Sequence, residues 1–219
     1  VSDDCSDDLT VDKIRAFSEH HKCSINIVIL SVSKRYGSAT LNFLNALMKT
    51  PVADYDYVCF SDQDDIWMPC KLKFAIKNIR EACSAGYSSN VLAWNSVTGK
   101  TSLVKKDDPQ TSYDYMFQGC GPGCTMVMDC ASVILLVSFL RKLSDEELGR
   151  IWFHDWFIYA FYRANNLTWT IGSYTGLLYR QHESNVIGAN SGFTGLIKRV
   201  RLLQRWKLEV LRLGHTLGY

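Results

Sequence analysis

The sequence predicts a layered α/β domain with a largely parallel sheet, and three observations lead there. Short apolar runs rich in Ile and Val, at residues 24–31 (SINIVILS) and 57–60 (YVCF), alternate with stretches of helical spacing. The second run ends in a cluster of acidic residues, and loops just past a strand are where open α/β sheets hold ligands. At 219 residues, 47% of them hydrophobic and 21% charged, the chain has the apolar content for one domain with a full core.

Taken in order, Val1 and Ser2 read as the last residues of a strand, and residues 3–8 (DDCSDD) as the loop after it. Asp7 or Asp8 is placed to cap a helix running to about His20, with Ile14 and Phe17 on its inner face. Residues 24–31 form a buried strand. A turn at 34–37 leads to a helix over 40–49, with Leu41, Leu44, Leu47 and Met48 inward. After Pro51 and Asp54 the strand at 57–60 runs into SDQDD (61–65), and Pro69 suits the first turn of a helix extending to about Ser84. Residues 91–94 and 125–128 are further strands, separated by a polar stretch at 95–112. Helices follow at 131–140 and 155–165, and residues 174–180 return to the sheet. From Thr194 apolar residues recur at 196, 200, 203, 206, 210 and 213 with basic residues beside them, which is an amphipathic helix. The chain divides into a domain over 1–193 and this appended helix over 194–219.

Composition narrows the function. Lys and Arg exceed Asp and Glu by 24 to 22, a net charge of +2 that does not suggest nucleic-acid binding. Six basic residues and one acid fall between positions 196 and 213, so the tail is strongly cationic and the rest slightly acidic. Eight cysteines at 5, 23, 59, 70, 83, 120, 124 and 130 read as reduced thiols of a cytosolic protein. Cys120 and Cys124 have no Cys/His cluster beside them in sequence, which argues against structural zinc. The longest apolar run, 131–140, is half of what a bilayer span needs. No basic segment followed by an apolar one opens the chain, so no secretion signal is expected and the protein reads as soluble or peripheral.

The strongest local chemistry is the acidic loop. Asp62, Asp64 and Asp65 repel one another, and a hard divalent cation would neutralise them, Mg2+ typically taking one or two carboxylates plus substrate phosphates. The apolar flanks Phe60, Ile66 and Trp67 weigh against a merely solvated turn. The first acidic loop, with Asp3 and Asp4, can accept hydrogen bonds from a ribose or base, or simply cap a helix. In His154-Asp155-Trp156 a carboxylate sits at a helix start among apolar groups; such desolvation raises a carboxyl pKa and suits a general base, while an N-cap is the plainer alternative. Arg180 and His182 offer a guanidinium and an imidazole close together, for phosphate or a metal, or as a surface Arg and a core His. There is no GxxxxGK[ST], HExxH or GxSxG. The 119–123 run (GCGPG) has the wrong spacing for a dinucleotide loop and reads as a backbone bend.

In order, SDDCSDD (2–8), YGSATLNF with Gly37 and Asn42, FSDQDDIWMPCKL (60–72), GCTMV (123–127), HDW (154–156) and YRQHESNVIG (179–188) resemble the bacterial family 2 glycosyltransferases, most closely the rhamnosyltransferase-like members that build surface polysaccharides. The resemblance spans positions 2–188. It implies the GT-A fold, a Rossmann-like layered sheet with helices on both faces. By comparison with the family, the strand and helix that open it are missing before Val1, so that the N-terminal unit is incomplete and full activity of this chain is in question. Cys5 stands where relatives often carry Gly.

The resemblance also assigns roles. Asp3 and Asp4 would contact the nucleotide of an activated sugar. Asp62 and Asp64 match the Asp-x-Asp pair that holds Mg2+ or Mn2+ on the donor diphosphate, with Asp65 an uncertain third. Asp155 matches the catalytic base, although here it follows His154 where many relatives have Glu. Arg180 and His182 would close on the diphosphate, and Trp67, Trp156 and Gly123 would shape the acceptor side. The implied reaction is a single inverting displacement, moving a sugar from dTDP-rhamnose, or from a UDP-hexose, to a hydroxyl of a lipid-linked saccharide. The cationic tail at 194–213 then fits peripheral contact with the inner face of the cell membrane. Two alternatives stand beside this: a catalytically inactive nucleotide-sugar-binding module, and a sugar-nucleotide nucleotidyltransferase, whose Gly-rich basic loop is not visible.

Overall fold

A computed structural model describes residues 1–21, 25–30 and 35–181. The helices arise where the apolar spacing places them. The first, α1 (Thr10–His20), follows Asp8, whose carboxylate accepts from the Thr10 N–H at 2.8 Å. In α2 (Ala39–Lys49) the Ser38 hydroxyl accepts from the Leu41 N–H, a cap worth about 1 kcal/mol, and Leu44 and Leu47 are buried. The helix α3 (Lys71–Ala82) buries Lys71, Ala75 and Ile79, one residue per turn, and ends on Cys83 in the left-handed conformation. The Asp129 carboxylate caps α4 (Cys130–Leu140) through the Ser132 N–H, and a Ser144/Glu147 capping box starts the short α5 (Asp145–Gly149). Six consecutive residues of α6 (His154–Ala164), 157 to 162, are buried, as befits a helix wedged between the sheet and its neighbours. Burial of each large apolar side chain there contributes about 1.5–3 kcal/mol.

Eight strands complete the set: β1 (Tyr57–Cys59), β2 (Ile66–Trp67), β3 (Gly86–Ser89), β4 (Val91–Asn95), β5 (Thr101–Val104), β6 (Val127–Asp129), β7 (Trp169–Gly172) and β8 (Leu177–Gln181). They form two four-stranded sheets, ordered β1-β6-β3-β7 and β2-β8-β4-β5. The sheets are mixed. Only β3 with β7, and β4 with β8, pair in parallel; the remaining ladders are antiparallel. This corrects the largely parallel sheet expected from the sequence. Strand–helix alternation holds in the first half, but β6 runs between β1 and β3 in the opposite sense and β5 folds back on β4 as a hairpin.

Both parallel pairs pass from one sheet into the other. At the bend the buried Asn90 donates to the Ser173 carbonyl and accepts from the backbone N–H groups of Lys106 and Asp107, so one side chain ties β3/β4, β7/β8 and the 105–107 segment together. Helices cover both faces of the first sheet, as the fold class requires. On one side α3 packs on β3, β6 and β7; on the other α4 packs on β1 and β6, with α2 and α6 beside it. Alternation along the chain into β6 makes this explicit, with Met126 and Met128 in the large core and Val127 against Ala75, Ile79 and Tyr87 of the second cluster.

Two further expectations are corrected. The strand expected at 24–31 shows, over its described residues 25–30, only a parallel bridge from Leu30 to Ser2, with Ile25 and Val28 exposed. Its one described neighbour is the Val1–Ser2 end, which does not cover both faces. Phe17, expected inward, is 49% exposed and lies against His21, so among the described residues α1 has no packed partner on that face. Four strands were not expected at all. Those at 86–89 and 101–104 are built from small, polar residues whose pairing comes from their neighbours. The amphipathic helix expected from Thr194, and the domain boundary before it, lie outside the described residues.

Candidate active site

Loops at the ends of β1 and of the chain into β6 meet the start of α6. The buried Phe60 ring, which follows β1, stands edge-on to the His154 ring at 5.4 Å, and Phe43 of α2 lies at 4.6 Å from the same imidazole. His154 is the partner of Gly123 as well: a Cβ at position 123 would collide with its Nε2, so only glycine lets the 119–125 turn approach. The His154 N–H donates to the Thr40 hydroxyl. Burial depresses the imidazole pKa, with Asp155 opposing, so this histidine is a neutral ring packed between Phe43 and Phe60. Its work is positional, holding Asp155 and the acidic loop at one place.

The acidic loop is half-buried. Burial raises Asp62 to about 6, and repulsion from Asp65 and Asp64, with a smaller contribution from Asp155, acts the same way; a hydrogen bond from Cys124 opposes them. The action of Asp155 on Asp62 places the two carboxylates in one electrostatic neighbourhood. Asp65 is also raised by burial, while it accepts from the Cys124 thiol and from the Arg180 backbone N–H at 3.2 Å. A carboxylate oxygen of Asp62, one of Asp65 and the Cys124 sulfur all lie within 4.8 Å of one another. At that separation two carboxylates repel by about 3–4 kcal/mol at an effective dielectric constant near 20. Donors of this kind fit a divalent cation. Asp64 is half-buried beside this group and outside it.

The remaining expected residues are distributed as follows. Asp155, half-buried in the first turn of α6, accepts from the Trp156 N–H at 2.7 Å; the N-cap position itself belongs to Phe153. The Trp156 indole donates to the Tyr115 carbonyl at 2.7 Å and its side chain backs Gly119. Trp67 lies under the Lys71 ammonium, 3.3 Å from the ring centroid. Arg180 is exposed on β8, its guanidinium 5.8 Å from the Trp94 ring. His182 lies outside the described residues. At the N-terminus Asp3 accepts from the Ser6 N–H and hydroxyl, and Asp4 receives the backbone N–H groups of Tyr36 and Gly37 on its two oxygens. Asn42 grips Ser2 through both ends of its amide. The first acidic loop is thus secured to the start of α2, and Asp4 already has a structural role.

Sequence reasoning missed two residues. Cys124 lies within a recognised motif, yet nothing local in GCTMV points its thiol at two aspartates far upstream. Lys71 looks like an ordinary surface lysine at a helix start, but is 5% exposed, threaded past Gly176 onto Trp67. The seven described cysteines are free.

A mixed sheet with helices on both faces, and an acidic loop held beside a carboxylate at a helix start, define a GT-A enzyme. Residues 1–142 match glycosyl transferase family 2, and the chain belongs to that family. It is a glycosyltransferase that uses a nucleotide-activated sugar. It is 39% identical over 220 residues to a dTDP-rhamnosyl transferase, RfbG, of Shigella flexneri, covering 100% of this chain and 75% of the relative. It is 29% identical over 132 residues to the Escherichia coli WfgD, a UDP-Glc:alpha-D-GlcNAc-diphosphoundecaprenol beta-1,3-glucosyltransferase, covering 59% of this chain and 47% of that one. Among solved structures, S. aureus TarS 1–349 in complex with UDP-GlcNAc shares the fold with a TM-score of 0.59 at 16% identity, covering 94% of this chain; the chain spans 56% of TarS. The nucleotidyltransferase and inactive-module alternatives are not favoured by these relationships.

Proposed function

We propose that this protein transfers rhamnose from dTDP-rhamnose to a hydroxyl of a lipid-linked precursor of a surface polysaccharide, inverting the anomeric configuration. The observation that carries this is the 39% identity to the Shigella rhamnosyl transferase, which runs across all of this chain. A UDP-hexose is the second donor to consider, because the glucosyltransferase relative names UDP-Glc.

In this reading Asp155 takes the proton from the acceptor hydroxyl, which attacks the anomeric carbon from the face opposite the leaving nucleotide. Trp156, Trp67 and the Gly123 turn wall the acceptor side. Arg180, on the strand that feeds its N–H to Asp65, meets the diphosphate, together with His182. Asp3 and Asp4 border the nucleotide. Asp62 and Asp64, with Asp65 between the loop and β8, would hold Mg2+ or Mn2+; when bound, that ion neutralises the charge developing on the diphosphate.

No helix among the described residues is long and apolar enough to cross a membrane. A cytoplasmic enzyme that meets its lipid-linked acceptor at the inner membrane face through residues 194–213 agrees with the cationic tail, each basic residue contributing roughly 1 kcal/mol near an anionic surface. Cosedimentation with anionic vesicles, with and without residues 194–219, tests that contact.

The donor is tested by incubating the protein with a panel of labelled nucleotide sugars and a lipid-linked acceptor. Transfer or slow hydrolysis restricted to dTDP-rhamnose is expected. Preference for a UDP-hexose would replace the donor, and turnover of none would remove the activity.

A further inference from the structure

The second sheet has two faces of different fate. On the inner one, Val91 and Leu177 pack with the buried Cys124, joined by Trp67, Val104 and Tyr179. Side chains alternate across a sheet, so the residues between these point the other way. Register then lines them up. Ile66 of β2 lies opposite Leu178 of β8, Leu178 opposite Leu92 of β4, and Leu92 opposite Leu103 of β5. The result is one unbroken apolar row across four strands, with Trp94 in the next row between Arg180 and Thr101. At the two edges of the sheet Ile66 is 47% and Leu103 57% exposed. Among the described residues the helices make their main sheet contacts with β1, β3, β6 and β7, all of the first sheet. An apolar sheet face is ordinarily buried against another layer, and a row this continuous differs from singly scattered surface side chains.

The same chain carries a matching stripe. Gln181, the last described residue, ends β8 within this sheet, and 38 residues follow it. Among them Leu196, Val200, Leu203, Trp206, Val210 and Leu213 recur at helical spacing. At roughly 3.6 residues per turn, Lys198, Arg201, Arg205 and Arg212 fall on the opposite side of that wheel. The lengths agree. Residues 182–195 reach up to about 46 Å when extended, enough to return from the end of β8 to either edge of the sheet. A helix over 196–213 is about 27 Å long, and four strands spaced about 4.8 Å apart are crossed within about 15 Å. The charges agree too. β2, β4, β5 and β8 contain no Asp or Glu, so this face offers the cationic segment apolar contact and no ion pair.

We infer that residues 196–213 dock as a helix across the outer face of the second sheet, laying their apolar stripe on the row formed by Ile66, Leu178, Leu92 and Leu103. The occupant is this chain's own tail because it departs from this very sheet, is long enough to return, and presents apolar groups at the period the row needs. Its four opposed basic residues then face away from the protein, toward the anionic surface proposed above. Contact with lipid is therefore electrostatic, and the apolar stripe is not spent on insertion. The docked helix also backs β8, the strand whose Arg180 N–H reaches Asp65. This inference goes beyond the proposed reaction and does not depend on which donor is used.

The test is fluorine NMR of the full chain with 5-fluorotryptophan at its tryptophans, the Trp94 and Trp206 signals being assigned by Trp→Phe variants. The change in shift between H2O and D2O reports how far each ring meets solvent. In the wild type Trp206 is expected to show a small fraction of the shift of the free amino acid. Leu103→Asp, on the exposed edge of the row, is expected to restore most of it. Val97→Asp, 88% exposed in the hairpin turn outside the row, is expected to leave it unchanged. The reciprocal variant Leu203→Asp is expected to expose Trp94, and it keeps the test alive if Leu103→Asp melts the sheet. A fully solvated Trp206 in the wild type overturns the inference, as does a shielded Trp206 that ignores both Leu103→Asp and, at Trp94, Leu203→Asp. Sedimentation velocity showing a dimer that Leu103→Asp dissociates gives the face to a second copy and overturns it. Loss of binding to phosphatidylglycerol–phosphatidylethanolamine vesicles in Leu103→Asp gives the face to lipid and overturns it too; retained binding with a monomeric wild type supports docking. Turnover of dTDP-rhamnose is measured separately, and its failure would leave these signals as they are.

Discussion

The His154 imidazole meets the Phe60 ring edge-on, with centroids 5.4 Å apart and planes at 82°. Phe60 precedes Asp62 by two positions and His154 precedes Asp155 by one, so this aromatic contact holds two carboxylates from distant parts of the chain in one site. A neutral ring is suited to the task, because it adds no charge to a place already crowded with negative groups.

Asp155→Asn is expected to lower kcat by about 10^2- to 10^4-fold while donor binding survives. Steady-state kinetics paired with calorimetric binding of the nucleoside diphosphate will show it; unchanged turnover would remove Asp155 from the base role. Asp64→Ala should give the opposite profile, weakening metal-dependent donor binding more than it slows turnover at saturation.

Asp62 gives a pH dependence of stability in the metal-free protein. A carboxyl raised from 3.8 to about 6 holds its proton more tightly in the fold than in the unfolded chain. Its burial as an anion therefore costs stability at pH 7. That cost is relieved as pH falls through 6, and fully so below about 4. Asp62→Asn should stabilise the metal-free chain by about 1–3 kcal/mol at pH 7 and by little near pH 4. Urea unfolding at the two pH values with chelator present measures the difference, and an equal effect at both would refute it.

Gly123→Ala forces a methyl into His154. The ring must leave the Phe43–Phe60 contact or the turn must retreat, at about 1–3 kcal/mol. Thermal melting should fall, and kcat should fall with it, because the displaced ring carries the start of α6.

Stability and chemistry should separate at Arg163. Its guanidinium donates to the buried Asp114 at 2.9 Å, while Tyr159 donates to the other Asp114 oxygen. Arg163→Met leaves Asp114 with a buried uncompensated charge, costing about 3–5 kcal/mol. Well below its lowered melting temperature the variant should keep wild-type donor binding, since this cluster lies apart from the acidic loop.

Much of this was legible in the residues. Helices α2, α3, α4 and α6 appeared as apolar stripes within a few residues of their bounds, because periodicity and caps act within a few turns of chain. Asp62, Asp64, Asp65 and Asp155 stood out, because acidic and aromatic residues of these types side by side are rarely neutral features of a surface. The strands at 86–89 and 101–104 were not legible, since Gly, Ser and Thr become strand only when a neighbour supplies the ladder. Phe17 was placed inward by spacing alone, and spacing cannot say whether anything lies opposite.

The sequence by itself determined the secondary elements with strong periodicity, the order of the acidic motifs and the family they belong to, all of which depend on neighbours along the chain. Only the tertiary structure decided that the sheets are mixed, that the His154 ring packs against Phe43 and Phe60, and that the Cys124 sulfur lies beside the Asp62 and Asp65 carboxylates. Those outcomes depend on electrostatics and packing between segments far apart in sequence. Burial, which sets an ordinary thiol beside two carboxylates and an ordinary lysine on a tryptophan ring, is a property of the fold.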